Sequence, residues 1–329
     1  MASRALGTQG LRSTAVALGC MGMSGTYGAR DERESIATIQ HAIDQGVTLL
    51  DTGDFYGMGH NELLIREAIH GRRDKVQLSV KFGVMRNYNG AFLGQDCRPE
   101  AIRNFLAYSL VRLGVDHIDF YFPARTDPAV PIEDVMGTLA DLIGEGKLRY
   151  VGLSEASAQT IERAHTAHPI SALQIEYSLF TRGIEEEVLP TTRRLGIGML
   201  SYGAFSRGLF TGGAEQAVQP GEAADIRRHM PRFQGDNLRR NLALLEALRA
   251  FAAGKGCSVA QLCVAWVLAQ GPDIVSVAGT ARRQHLDENL RAADIALSPQ
   301  ELTELERIVP PGAVAGDRYP PAGMTSLNR

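Results

Sequence analysis

Eight short runs of β-branched and apolar residues, each parted from the next by a longer stretch of helical period, constrain this chain more than any other feature. They are AVALGCM (15–21), VTLLDT (47–52), VQLSVKF (76–82), HIDFYF (117–122), RYVGLS (149–154), SALQIEY (171–177), GIGMLSY (196–202) and IVSVAG (274–279). Such alternation is the pattern of a parallel sheet with crossover helices. Residues 31–46 place Ile36, Ile39 and Ile43 on one face and close at Gly46, as a helix ended by a left-handed glycine does. Residues 98–114 carry Pro99 in the first turn and an apolar stripe that includes Ile102, Leu106, Leu110 and Leu113. Further helices are expected over 131–146, 156–168, 184–196 and 258–271. Eight strands with helices between them predict an α/β fold, a (β/α)8 TIM barrel rather than an open doubly wound sheet.

The 329 residues fit one barrel, so 1–329 is expected to form a single domain. Two stretches stand outside the repeat. Residues 203–235 form a long, Gly-rich and polar loop after strand seven, of a length usually tied to function. The tail, 310–329, holds four Pro and three Gly and is expected to lack regular structure.

With 44% apolar and 22% charged residues the chain can bury a sizeable core. A net charge of −3 and no long run of Lys or Arg argue against nucleic acid as a partner. The most apolar stretch, 258–270, is too short to span a bilayer, and the N-terminus has no continuous apolar region. A cytoplasmic protein that does not engage membranes is therefore expected. Cys20, Cys97, Cys257 and Cys263 lack C-x-x-C spacing and read as reduced thiols, and the His165 and His168 pair reads as a solvated helix face. No metal site is expected. Trp266, in an apolar helix, reads as core.

In such a barrel, chemistry gathers at the carboxyl ends of the strands. Asp51 closes strand two, Tyr56 lies in the loop after it, and Lys81 closes strand three. A free phenol, with a pKa of about 10, is a poor proton donor near neutrality. An adjacent ammonium favours the phenolate and is expected to lower that value, while Asp51 holds the lysine. Tyr56 tuned in this way donates a proton to a carbonyl oxygen as hydride reaches the carbon. Singly, the three read as a turn cap, a loop aromatic and a solvated strand end; their combination carries the chemistry.

The segments DTGDFYGMGHNE, VKFG, RLGVDHIDFYF, PIEDVMGTLADLIGEGKLRYVGLSE, QIEYSL, LGIG and GTARRQHLDEN resemble the aldo-keto reductase family, in order, through nearly the whole chain. The resemblance implies reduction of a small aldehyde or ketone with NADPH. Three of the family's four catalytic positions carry over to Asp51, Tyr56 and Lys81; the fourth, a histidine, is Ala124 here. Ser154 and Gln174 match residues that hold the nicotinamide carboxamide, and Tyr202 matches the aromatic on which the ring stacks. Glu155 stands where the family has Asn. Phe205 and Arg207 fall beside the pyrophosphate, Gly279 and Thr280 head a helix whose free amides suit a phosphate, and Glu288 and Asn289 lie near the adenine. Ala281 and His285 replace a frequent Lys and a frequent Arg or Gln. Arg282, with Arg283, is then left to meet the 2′-phosphate.

Ala124 cannot orient a carbonyl, and its neighbour Arg125 has three open roles. It supplies positive charge to a developing alkoxide, binds a substrate carboxylate or phosphate, or points outward to pair with Asp119 or Asp127. Two alternatives to carbonyl reduction remain: a cofactor-binding barrel without catalysis, and a reductase of an anionic or non-carbonyl substrate positioned by Arg125. The family branch that reduces carbon–carbon double bonds resembles this chain less, because it carries a glutamate at the Ala124 position.

Overall fold

The computed structural model describes residues 3–211 and 225–328. Its centre is a closed, all-parallel barrel of β3 (Val16–Gly19), β4 (Leu49–Gly53), β5 (Gln77–Phe82), β8 (Ile118–Pro123), β9 (Leu148–Ser154), β10 (Ala172–Glu176), β11 (Gly198–Tyr202) and β12 (Ile274–Gly279), with β12 pairing back onto β3. Every expected strand is present, with its ends within two residues of the expected bounds. Helices Glu32–Asp44, Pro99–Leu113, Ile132–Gly144, Ala158–Ala167 and Val259–Ala269 occupy their expected windows, whereas the sixth begins at Val188 rather than 184. Pro99 does open its helix, and Gly114, at φ 66°, closes it.

The helix His60–Ala68 was not anticipated, nor were three further features. An antiparallel hairpin, β1 (Ser3–Leu6) with β2 (Leu11–Thr14), precedes the barrel; a second, β6 (Val84–Arg86) with β7 (Phe92–Gln95), follows β5; and a 21-residue helix spans Gly235–Lys255. The tail also departs from expectation. Pro321–Met324 forms one helical turn, since a proline at a first-turn position is already set at the helical φ. Of the long loop, residues 212–224 lie outside the described residues, and the remainder folds into short 3-10 turns at Ser206–Gly208, Ile226–His229 and Pro231–Phe233.

The first hairpin closes the barrel floor. Leu6 and Leu11 are fully buried and join Ala17, Leu49, Phe120, Phe122 and Leu200 in an apolar cluster inside the strands. Gly152 on β9 leaves the room this cluster needs, because a Cβ there would sit 2.5 Å from the Phe120 ring. Gly152→Ala is therefore expected to cost about 1–3 kcal/mol through overpacking, read as a lower urea midpoint; an unchanged midpoint would refute this packing argument.

Outside the strands, Trp266 is 2% exposed and packs edge-on against Tyr177, at 5.3 Å between ring centroids. All four cysteines are unpaired. Among the described residues no single helix is long and apolar enough to cross a membrane.

Candidate active site

Alternation along the strands turns one residue in two into the barrel, and above the floor the inward positions become polar. Asp51 on β4 pairs in register with Ser79 on β5, and Lys81 lies one inward step further along. Asp51 is 5% exposed and its carboxylate is fully engaged. Oδ2 accepts from Lys81 Nζ at 2.7 Å, and Oδ1 accepts from Ser79 Oγ at 2.9 Å and from Gln174 Nε2 at 2.7 Å. Burial pulls the Lys81 ammonium below its ordinary value, against the opposing charge of Asp51.

Tyr56 is brought over this pair by a short backbone reversal. Gly57, Met58 and Gly59 all have positive φ, at 56°, 55° and 94°. A Cβ on Gly57 would lie 2.9 Å from that of Ser24, so glycine serves both the turn and the close approach. Buried Asn61 ties the loop down: it accepts from Thr52 Oγ1 at 2.6 Å and donates to the Cys20 carbonyl and to Ser24 Oγ. Lys81 Nζ then sits 5.2 Å from the Tyr56 ring centroid.

The expected lowering of the Tyr56 pKa is not what this arrangement gives. Burial, then the charge of Asp51, push the phenol well above its ordinary range, and Arg125 opposes them. The physical reason is that the ammonium faces Asp51 and lies over the ring, with no hydrogen bond to the hydroxyl among the described residues. Tyr56 is accordingly a protonated donor at neutral pH.

Arg125 turns into the same rim. The outward role fails because both candidate partners are occupied. Asp119 receives Arg73 at 2.7 Å and the Leu78 amide, and Asp127 receives the amides of Cys97 and Ala129. The strand ends at Pro123, Ala124 keeps the inward position at 2% exposure, and Arg125 folds back so that NH1 donates to the Ala124 carbonyl at 2.6 Å. NH2 donates to the Tyr319 hydroxyl at 3.3 Å. Burial would lower its pKa, but Tyr202, Tyr319 and Glu155 prevail and raise it, so the guanidinium stays charged. It has no ion-pair partner among the described residues.

The residues matched to a dinucleotide lie along one cleft from β9 to the helix after β12. Ser154 is 1% exposed and its Oγ has no hydrogen-bond partner among the described residues. Gln174 lies beside it in register on β10 and donates Nε2 to Asp51. Glu155, in a left-handed backbone at φ 52°, accepts Tyr202 OH at 2.7 Å and both Arg318 nitrogens, at 2.7 and 3.1 Å. Burial would raise its pKa, but Arg318 outweighs this and holds the carboxyl below its usual range.

Phe205 packs against the core, and Arg207, at φ 59°, donates to Tyr27 OH at 3.2 Å without a carboxylate within ion-pair distance among the described residues. Beyond β12, Gly279 and Thr280 precede the helix Arg283–Arg291, and Thr280 Oγ1 accepts the Arg282 amide at 3.2 Å. The Arg282 side chain is exposed, whereas Arg283 is held by Glu34 at 3.0 Å. His285 is exposed, Glu288 half-buried and Asn289 buried on the same helix.

Tyr27, Glu176, Arg232, Arg318 and Tyr319 also face this cleft and were not picked out from the sequence. Arg232 reaches Ser206 Oγ and Thr181 Oγ1 at 3.1 Å and lies 3.6 Å from Glu176. DRYPP in the tail does place a cation and an aromatic between prolines, but nothing local says which part of the barrel they meet.

Comparison with known proteins agrees with this geometry. The Aldo/keto reductase family model matches residues 15–310. The chain belongs to the aldo/keto reductase family. A curated relative, a probable aldo-keto reductase 1 of Glycine max, is 42% identical over 317 residues, which is 95% of this chain and 90% of that protein. Among solved structures, the glycerol dehydrogenase of Gluconobacter oxydans superposes with a TM-score of 0.83 at 28% identity, over 93% of this chain and 94% of its own. An aldo-keto reductase from Klebsiella pneumoniae in complex with NADPH gives a TM-score of 0.74 at 25% identity, over 96% and 99%. As a member of the aldo/keto reductase family the chain is an oxidoreductase.

Proposed function

We propose that this aldo/keto reductase reduces the carbonyl of a small aldehyde or ketone with NADPH. The observation that carries the reading is the buried Lys81–Asp51 pair, 2.7 Å apart, under the ring of a protonated Tyr56. The cleft suits a dinucleotide: among the described residues Ser154 Oγ is an unpartnered buried hydroxyl, Arg207 lacks a carboxylate, and Arg282 leaves a free guanidinium near helix amides. Ser154 and Tyr202 would hold the nicotinamide, Phe205, Arg207, Gly279 and Thr280 the phosphates, and Arg282, His285, Glu288 and Asn289 the adenosine end. When bound, the dinucleotide supplies hydride to the carbonyl carbon.

The chain's own residues manage the proton and the charge. Tyr56 gives its hydroxyl proton to the carbonyl oxygen as negative charge builds there. Lys81, fixed by Asp51, provides the field that offsets the phenolate left behind. Arg125 takes the electrostatic share of the absent histidine; a guanidinium stabilises an alkoxide but donates no proton to it.

The test is cofactor oxidation in the presence of a panel of aldehydes and ketones, with NADPH and NADH compared at equal concentration. Turnover is expected, and faster with NADPH. No turnover with any carbonyl, together with tight cofactor binding, would make the protein a binding barrel instead.

A second reading rests on one observation: Arg125 faces the pocket with no ion-pair partner among the described residues. That guanidinium suits a substrate carboxylate or phosphate. Arg125→Ala separates the two. If it serves the alkoxide, kcat falls about 10²-fold with KM little changed; if it binds a substrate anion, KM rises while kcat holds. Unchanged kcat/KM on every carbonyl that is turned over would remove Arg125 from both roles.

A further inference from the structure

We infer that Tyr319 and Arg318 form a latch that shares its docking ground with the dinucleotide, so that cofactor binding displaces the C-terminal segment from the cleft. The inference rests on the reading of that cleft as the dinucleotide site. Tyr319 touches residues assigned to the nicotinamide and to the pyrophosphate. Its hydroxyl is 3.2 Å from Tyr202 OH and 3.3 Å from Arg125 NH2, while its ring lies under the guanidinium of Arg207 at 4.8 Å and within 5.9 Å of that of Arg125. Nicotinamide and pyrophosphate would need those same partners.

Electrostatics favours the exchange. Four guanidiniums, of Arg125, Arg207, Arg232 and Arg318, converge on this region against the carboxylates of Glu155 and Glu176. The tyrosine face gives the excess cations a quadrupole to rest on, a weaker partner than a phosphate anion. Tyr319 is thus a placeholder that a dianionic pyrophosphate outcompetes at Arg207.

The tail is pinned on either side of the latch, which makes the motion local. Ala315 exchanges two hydrogen bonds with buried Asn241, at 2.8 and 3.0 Å, and Gly316, at φ 89°, follows directly. Downstream, the Asn328 amide donates to the Glu155 carbonyl at 3.2 Å and its side chain accepts from the Ser157 amide at 2.8 Å. Between these anchors Arg318, paired with Glu155 and 3.7 Å from Glu176, and the Tyr319 contacts tie the segment to the cleft.

A closed latch reduces apparent affinity by the fraction of molecules that are open. Tyr319→Ala is expected to tighten NADPH binding by on the order of tenfold, followed by cofactor fluorescence, and to speed its association. In the unmodified protein, NADPH is expected to raise amide hydrogen exchange across residues 317–327. Binding by both proteins with equal constants, or weaker binding by the variant, overturns the latch and leaves the proposed function standing; so does exchange in that segment unaltered by NADPH. Failure of both proteins to bind NADPH overturns the proposed function and the latch together.

Discussion

Tyr56→Phe is expected to lower kcat for carbonyl reduction by about 10²–10⁴-fold while leaving the NADPH dissociation constant unchanged. The substitution keeps the ring that packs edge-on against Phe55 and faces Lys81, and it removes only the hydroxyl proposed to give the proton. A kcat indistinguishable from that of the unmodified enzyme would show that another group is the acid. The pH profile adds a second check. Burial and Asp51 place the phenol well above its ordinary value of about 10, so ionisation of Tyr56 should not lower the rate at any pH up to about 10. The same shift carries a stability consequence of fixed sign. Tyr56 is protonated in both folded and unfolded chains below the unfolded pKa, and its contribution is lost as pH rises from there through the folded value.

Lys81→Met is the second large effect, and its first signature is stability rather than rate. Lys81 and Asp51 have side-chain exposures of 5% and 7%, so removal of one partner strands a buried charge. Breaking such a pair costs about 3–5 kcal/mol, because the desolvation of the survivor is no longer offset. Ser79 and Gln174 still donate to the carboxylate, which places the expected loss toward the lower end of that range. The double substitution Asp51→Asn with Lys81→Met removes both charges and should recover most of the lost stability in chemical denaturation. Equal stability of Lys81→Met and the unmodified protein would mean that the pair is not buried as described. Catalysis by the double variant should stay low, since the field that offsets the Tyr56 phenolate has gone.

The barrel was legible because its signal is repetitive: each apolar run is a strand buried on both faces, and each glycine-ended amphipathic segment covers it. Asp51, Tyr56 and Lys81 were legible because all three sit within a few residues of strand ends, where topology alone makes them converge. Two kinds of fact were hidden. Gln174 faces Asp51 and Arg125 faces inward through choices of side-chain torsion and of what else occupies the neighbours, such as Arg73 on Asp119, and no local pattern encodes those. Tyr319 and the Leu6–Leu11 hairpin act on the barrel across most of the chain, so their roles depend on where the termini come to rest. The direction of the Tyr56 shift belongs to the first kind. A lysine nearby in sequence lowers a phenol only if its ammonium faces the hydroxyl, and here it faces a carboxylate.

The hairpin plug under the barrel also decides where the next proton comes from. Leu6 and Leu11 fill the floor with a fully buried apolar layer, which offers a water no polar partner on that side of the barrel. With Tyr56 as the proposed acid, its proton would be replaced from the rim, the opening through which the proposed cofactor and substrate would pass. Whatever covers that rim therefore meters the supply of protons as well as the traffic of ligands, and reprotonation cannot be faster than uncovering.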